Sequence, residues 1–143
     1  DRLSAPACDR RTAVAAGATG IILTPGCVDP YNSKVVRASM GGVFRLPHWE
    51  IPADQGVQFL GEAGVDIVVA DIVDSQHYFA VEFPANVALV IGNEARGPSP
   101  IWSQNAAQRV KIPLYGEMES LNASVAAGIL LYEIARQHHI LGE

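Results

Sequence analysis

The stretch Val87-Ala88-Leu89-Val90-Ile91-Gly92-Asn93-Glu94-Ala95-Arg96-Gly97-Pro98 decides the fold. Its first five residues are aliphatic without a break. A run this short and this apolar reads as a strand covered on both faces, as in a parallel sheet between helices. Gly92 ends it, and Gly92 and Gly97 open a loop whose backbone can approach a ligand closely. Asn93, Glu94 and Arg96 give that loop a neutral, an anionic and a cationic handle. Upstream, Asp66-Ile67-Val68-Val69-Ala70 repeats the strand pattern, behind a helix from Gln55 to Ala63 that Asp54 caps and Gly64 stops. Val43-Phe44-Arg45-Leu46 is a strand stopped by Pro47, preceded by a short helix from Asn32 or Ser33 through Met40. Gly20-Ile21-Ile22-Leu23 is the first strand, after a helical stretch over residues 10–16 that Gly17 closes. Downstream, Pro98 begins a brief helix and Arg109-Val110-Lys111-Ile112 forms the last strand. The longest helix runs from Ser120 to about His138. Residues Ala123 to Tyr132 are apolar nearly all round, which predicts that it is largely buried. The pattern is one α/β domain.

Composition agrees. The 143 residues fit a single core, and 49% apolar against 17% charged residues excludes a disordered chain. No run of 18 apolar residues marks a membrane span. Two cysteines, Cys8 and Cys27, are too few for a disulfide framework and fit a reducing compartment such as the cytoplasm. The net charge of −5 counts at first against a nucleic-acid partner. The charge is unevenly spread, however. Residues 1–45 carry six basic side chains against three acids, whereas residues 46–95 carry eight acids and no Lys or Arg. An acidic chain can therefore still present a basic side.

In open parallel sheets, ligands bind beyond the carboxyl ends of the strands. Two such ends here carry unusual loops: Gly92 to Pro98, and Pro113-Leu114-Tyr115-Gly116-Glu117-Met118-Glu119-Ser120-Leu121-Asn122. Taken singly, each also reads as an ordinary turn, with Ser120 as a helix cap. Neither is a phosphate cradle of the GxGxxG or GxxxxGK[ST] kind. No metal site is expected. His138 and His139 point about 100° apart on a helix, and their place near its end suits solvation of the carbonyl terminus. His48 and His77 read as loop residues.

In this order, each directly behind a strand, the two loops resemble motifs two and three of the SpoU-type (TrmH-like) SPOUT RNA 2′-O-ribose methyltransferases. Arg11-Thr12-Ala13 to Gly17 resembles the later half of motif one, so the likeness runs over residues 10–137. It implies a parallel sheet closed by a deep trefoil knot, and S-adenosylmethionine held in the knot by Thr24, Gly92, Asn93, Gly97, Ile112, Leu114 and Leu121. It further implies a homodimer acting on rRNA or tRNA, with residues 1–143 as the catalytic domain and a separate RNA-binding domain preceding it in many members. Carried over to this chain, Arg11 activates the ribose hydroxyl, while Glu94 and Asn122, with Ser120 beside them, orient hydroxyl and substrate. The expected function is methyl transfer to a ribose 2′-hydroxyl without a metal.

One position departs from the pattern. The family carries Asn-x-Gly six residues before its motif-one arginine, and here those positions are Ala5-Pro6-Ala7. That leaves a second expectation, a knotted module that binds S-adenosylmethionine or RNA without turnover, and a more distant third, an unrelated nucleotide-binding α/β protein.

Overall fold

The computed structural model describes residues 15–24, 33–39, 48–71, 75–92, 100–116 and 123–141. Seven strands form one sheet: β1 (Ala18–Thr24), β2 (Ser33–Ser39), β3 (His48–Glu50), β4 (Asp66–Ala70), β5 (Gln76–His77), β6 (Asn86–Gly92) and β7 (Gln108–Lys111). Among the described residues three α-helices of a turn or more flank it: α1 (Ala53–Glu62), α2 (Pro100–Gln104) and α3 (Ala123–Leu141). The order across the sheet is β3-β1-β2-β6-β4-β7-β5. The pairs β6–β4, β4–β7, β7–β5 and β1–β3 are parallel. β2 is antiparallel to both β1 and β6, so every other strand runs one way.

The aliphatic runs occupy the positions their composition demands. Val68, Val69, Val87, Ala88, Leu89 and Val90 are fully enclosed. Alternate residues feed two cores. On one face Val68, Val87, Leu89 and Val110 meet Ala127, Leu130, Leu131 and Ile134 of α3. On the other Ile67, Val69, Ala88 and Val90 meet Leu60 of α1 and Trp102 of α2. The sheet is thus sandwiched by helices, as expected.

Several local expectations need correction. Residues 33–39 form a strand instead of a helix: Val35 and Val36 are β-branched, and a seven-residue register with β6 outweighs the capping signal at Asn32 or Ser33. α1 starts at Ala53 behind Pro52, so Asp54 sits in its first turn instead of capping it; the carboxylate there still faces the positive helix end. The brief helix is present over Pro100–Gln104, and its expected start at Pro98 lies outside the described residues. The last strand lies one residue earlier than read, and α3 runs on to Leu141. α3 is also not buried all round: Val125 and Tyr132 are each about half exposed. His48 begins β3 and His77 ends β5, so neither is a loop residue.

Both glycine stops hold. Gly17 follows the helical Ala15 with φ 89°, and Gly64 has φ 73°. Behind α1 the Val65 N–H donates to Leu60 O (2.9 Å) and the Gly64 N–H to Gly61 O (3.2 Å), the paired bonds of a Schellman stop. Residues 10–14, the expected strand 43–46, Cys8 and Cys27 lie outside the described residues. So do 93–99 and 117–122, the loops that would form the knot.

Candidate active site

The sheet order creates the site. β4 lies between β6 and β7, so the carboxyl ends of β6 and β7 flank the carboxyl end of β4. The region beyond such strand ends is where open α/β sheets hold ligands. Ala70 pairs with Ile91 on one side and Val110 on the other, and the Asp71 N–H donates to Val110 O at 3.0 Å. Asp71 is half-buried there, beside the ends of both neighbouring strands.

Four of the expected cofactor residues are described. Thr24 pairs with Ser33, and Ser33 with Gly92, so Thr24 and Gly92 end their strands in one row across the sheet. At about 4.8 Å per strand spacing they lie on the order of 10 Å apart. Ile112 directly follows β7, half-buried against the α3-side core. Leu114, two residues on, is 39% exposed and offers apolar surface at the same end. Thr24, Gly92, Ile112 and Leu114 thus all lie at the carboxyl end of the sheet, spread from β1 to β7. Asn93, Gly97 and Leu121, and the expected catalytic Arg11, Glu94, Ser120 and Asn122, lie outside the described residues.

Asp71 was not singled out in the sequence. The only signal was an acid directly behind an aliphatic run, and its relevance depends on strand order, which the run does not carry. Lys111 stands at the end of β7 and Lys34 is in register with Ile91, both at this end of the sheet, whereas the Arg109 guanidinium donates to Ser103 O at 3.0 Å. Among the described residues no group of His, Cys, Asp and Glu is arranged to hold a metal.

The histidines near the end of the chain need correction. His138 does not solvate the end of α3; it is buried and donates from Nε2 to Pro84 O at 2.8 Å. Its neighbour Gln137 accepts from the Phe83 N–H (2.8 Å) and donates to Val81 O (2.9 Å). Together they fasten the extended segment 81–84, which leads into β6, against α3. The amide of Gln137 also donates to Glu133 (2.8 Å), and Arg136 grips that carboxylate with two nitrogens. These bonds hold the Glu133 carboxyl below the ordinary range, with Arg136 the largest cause and burial opposing it.

Residues 10–132 match the SpoU rRNA Methylase family. The chain belongs to that family. The motif loops read in the sequence and the sheet just described are therefore those of a SpoU chain. It is 38% identical over 133 residues to a 23S rRNA (uridine(2479)-2′-O)-methyltransferase of Streptomyces viridochromogenes, covering 89% of this chain and 46% of that one. It is 32% identical over 124 residues to the 23S rRNA (guanosine(2553)-2′-O)-methyltransferase of Bacillus subtilis, covering 87% and 50%. Among solved structures, the AdoMet-bound rRNA methyltransferase of Sinorhizobium meliloti superposes with TM-score 0.74 at 33% identity, covering 92% of this chain and 50% of that one. The SpoU methyltransferase AviRb of Streptomyces viridochromogenes, in complex with AdoMet, gives 0.72 at 29%, covering 93% and 55%. The chain spans about half the length of the curated relatives it matches.

Proposed function

We propose that this SpoU chain transfers a methyl group from S-adenosylmethionine to a ribose 2′-hydroxyl of rRNA or tRNA. The observation that carries the reading is that Gly92 ends β6 and Ile112 and Leu114 follow β7, the two strands flanking β4, at the carboxyl end of the sheet, with Thr24 ending β1 in the same row as Gly92. The relatives named as 23S rRNA 2′-O-methyltransferases support the reaction. The neighbours solved with AdoMet support the cofactor.

The residues present suit that cofactor. Ile112 and Leu114 supply apolar surface for an adenine ring, and Gly92 leaves its strand end free of a side chain. When bound, S-adenosylmethionine supplies an electrophilic methyl group on a sulfonium. The protein's part is alignment and charge. A ribose hydroxyl is a weak nucleophile, so a group that stabilises its developing negative charge lowers the barrier. Arg11 takes that role, since a guanidinium stays charged and its fork can also hold the adjacent phosphate. Glu94 and Asn122 orient the hydroxyl and substrate, with Ser120 beside them. A homodimer completes the site, and the exposed Tyr115, Val125 and Tyr132 offer apolar area for a second copy. The chain is the catalytic domain of its protein and works in the cytoplasm. No helix among the described residues is long and apolar enough to cross a membrane.

The test is two-fold. Calorimetry should show S-adenosylmethionine binding to the protein; no heat at millimolar ligand would remove the cofactor from the reading. Methyl transfer to bulk RNA should then fall at least tenfold in Arg11→Ala and in Asn122→Ala, a transition-state loss of about 1.4 kcal/mol or more. Wild-type rates in both would remove the residue roles. Ala5-Pro6-Ala7, where the family pattern has Asn-x-Gly, favours one second reading: a module that binds without turnover. Binding without any methyl transfer would select it.

A further inference from the structure

We propose that the stacked rings of His77 and Phe79, with Lys111 beside them, form a platform for an unpaired base of the RNA substrate. The proposal rests on the RNA reading above and deepens it. β5 is the edge strand, and its His77 is in parallel register with Lys111 of β7. Partners in register point to the same face, about 4.8 Å apart. Val110 enters the α3-side core, so Lys111 and His77 stand on the opposite face. On that edge the His77 and Phe79 rings are stacked, with centroids 5.2 Å apart and planes within 3°. Tyr78 packs against the core and meets the Phe79 ring edge-on at 5.3 Å, which fixes its plane.

The pair does little for the core. Phe79 is 56% exposed and His77 is also exposed, so much of the pair's ring surface meets water. Single-stranded RNA is held by such flat faces, because every base has a π surface to stack on them. A backbone phosphate next to the stacked base needs a cation, and Lys111 supplies it from the neighbouring strand. The long acidic stretch 46–95, which contains His77 and Phe79, has no Lys or Arg of its own. Lys111 is three residues from Leu114, a reach of at most about 10 Å, so the platform adjoins the proposed methyl-transfer edge.

The test uses a six-nucleotide single-stranded RNA carrying 2-aminopurine and an abasic RNA of equal length and charge. Wild-type protein should quench the 2-aminopurine and bind the abasic RNA about fivefold or more weakly. Phe79→Leu, which keeps an apolar side chain, should lose the quenching and bind both RNAs alike, and Phe79→Trp should restore the preference. Lys111→Gln should lower the salt slope by about 0.7. Calorimetric binding of S-adenosylmethionine, unchanged in these variants, shows that they are folded. Equal binding of intact and abasic RNA by the wild type overturns the platform and leaves the methyltransferase reading standing. A wild type that binds S-adenosylmethionine but neither RNA overturns both.

Discussion

Trp102 and Gly56 meet with no room for a methyl group between them. A Cβ on Gly56 would stand 2.9 Å from Cη2 of the Trp102 ring and 3.3 Å from Cζ2. The indole is fully buried, so the ring has nowhere cheap to go. Gly56 is thus selected by an approach between α1 and α2 even though glycine weakens a helix. Gly56→Ala should lower unfolding free energy by about 1–3 kcal/mol through overpacking, read as a lower denaturation midpoint with unchanged slope. A stabilised variant, as helix propensity alone would give, would show that the two helices are looser than described. None of this contact was visible in the sequence, because Gly56 and Trp102 belong to different elements. Glu94, Ser120 and Asn122 stand out as polar groups in loops behind strands, but their roles, and Arg11 altogether, come only through motif resemblance, since an isolated polar loop residue does not announce what it faces.

The helix α3 is more than a cover for the sheet. Its Gln137 and His138 bond three backbone groups of the segment 81–84, and Glu133 holds the Gln137 amide in place. The Glu133 carboxyl is held below its ordinary range when folded. A carboxyl shifted this way stabilises the fold above its unfolded value, and the contribution disappears as pH falls through the folded value. Melting temperature should therefore drop on the acid side of the ordinary carboxylate range, and Glu133→Gln should flatten that drop. An identical acid limb in the variant would mean that Glu133 contributes no pH-dependent stability. Elements of this kind were unevenly legible. β4 and β6 were read almost residue for residue, because continuous aliphatic runs have one dominant interpretation. β2 was misread because a cap signal and two β-branched valines compete locally, and only pairing with β6 decides between them. His138 was misread because its partner, Pro84, is 54 residues away.

For the whole molecule, the charge map bears on where the proposed RNA substrate would approach. The −5 is concentrated in residues 46–95, while residues 1–45 are basic. The RNA backbone beyond the base at His77 and Phe79 should approach the basic side, with Arg10, Arg37 and Arg96 as phosphate contacts in addition to Arg11. With Lys111, five phosphates neutralised on a single strand give a log–log salt slope of about −3.5 and weak binding. Filter binding across a salt series measures it, and a slope near zero would show that these arginines do not meet phosphate.

The order β6-β4-β7 also dictates when the chain becomes safe to release. β4 is made at residues 66–70, but the strand that covers its second edge comes only at 108–111. During synthesis Ile67, Val68 and Val69 therefore wait with an open, apolar strand edge through some forty further residues. Such an edge is a template for wrong pairing. Chains stopped short of residue 108 should thus be the aggregating species, and a ribosome pause between β6 and β7 the most hazardous place to stall.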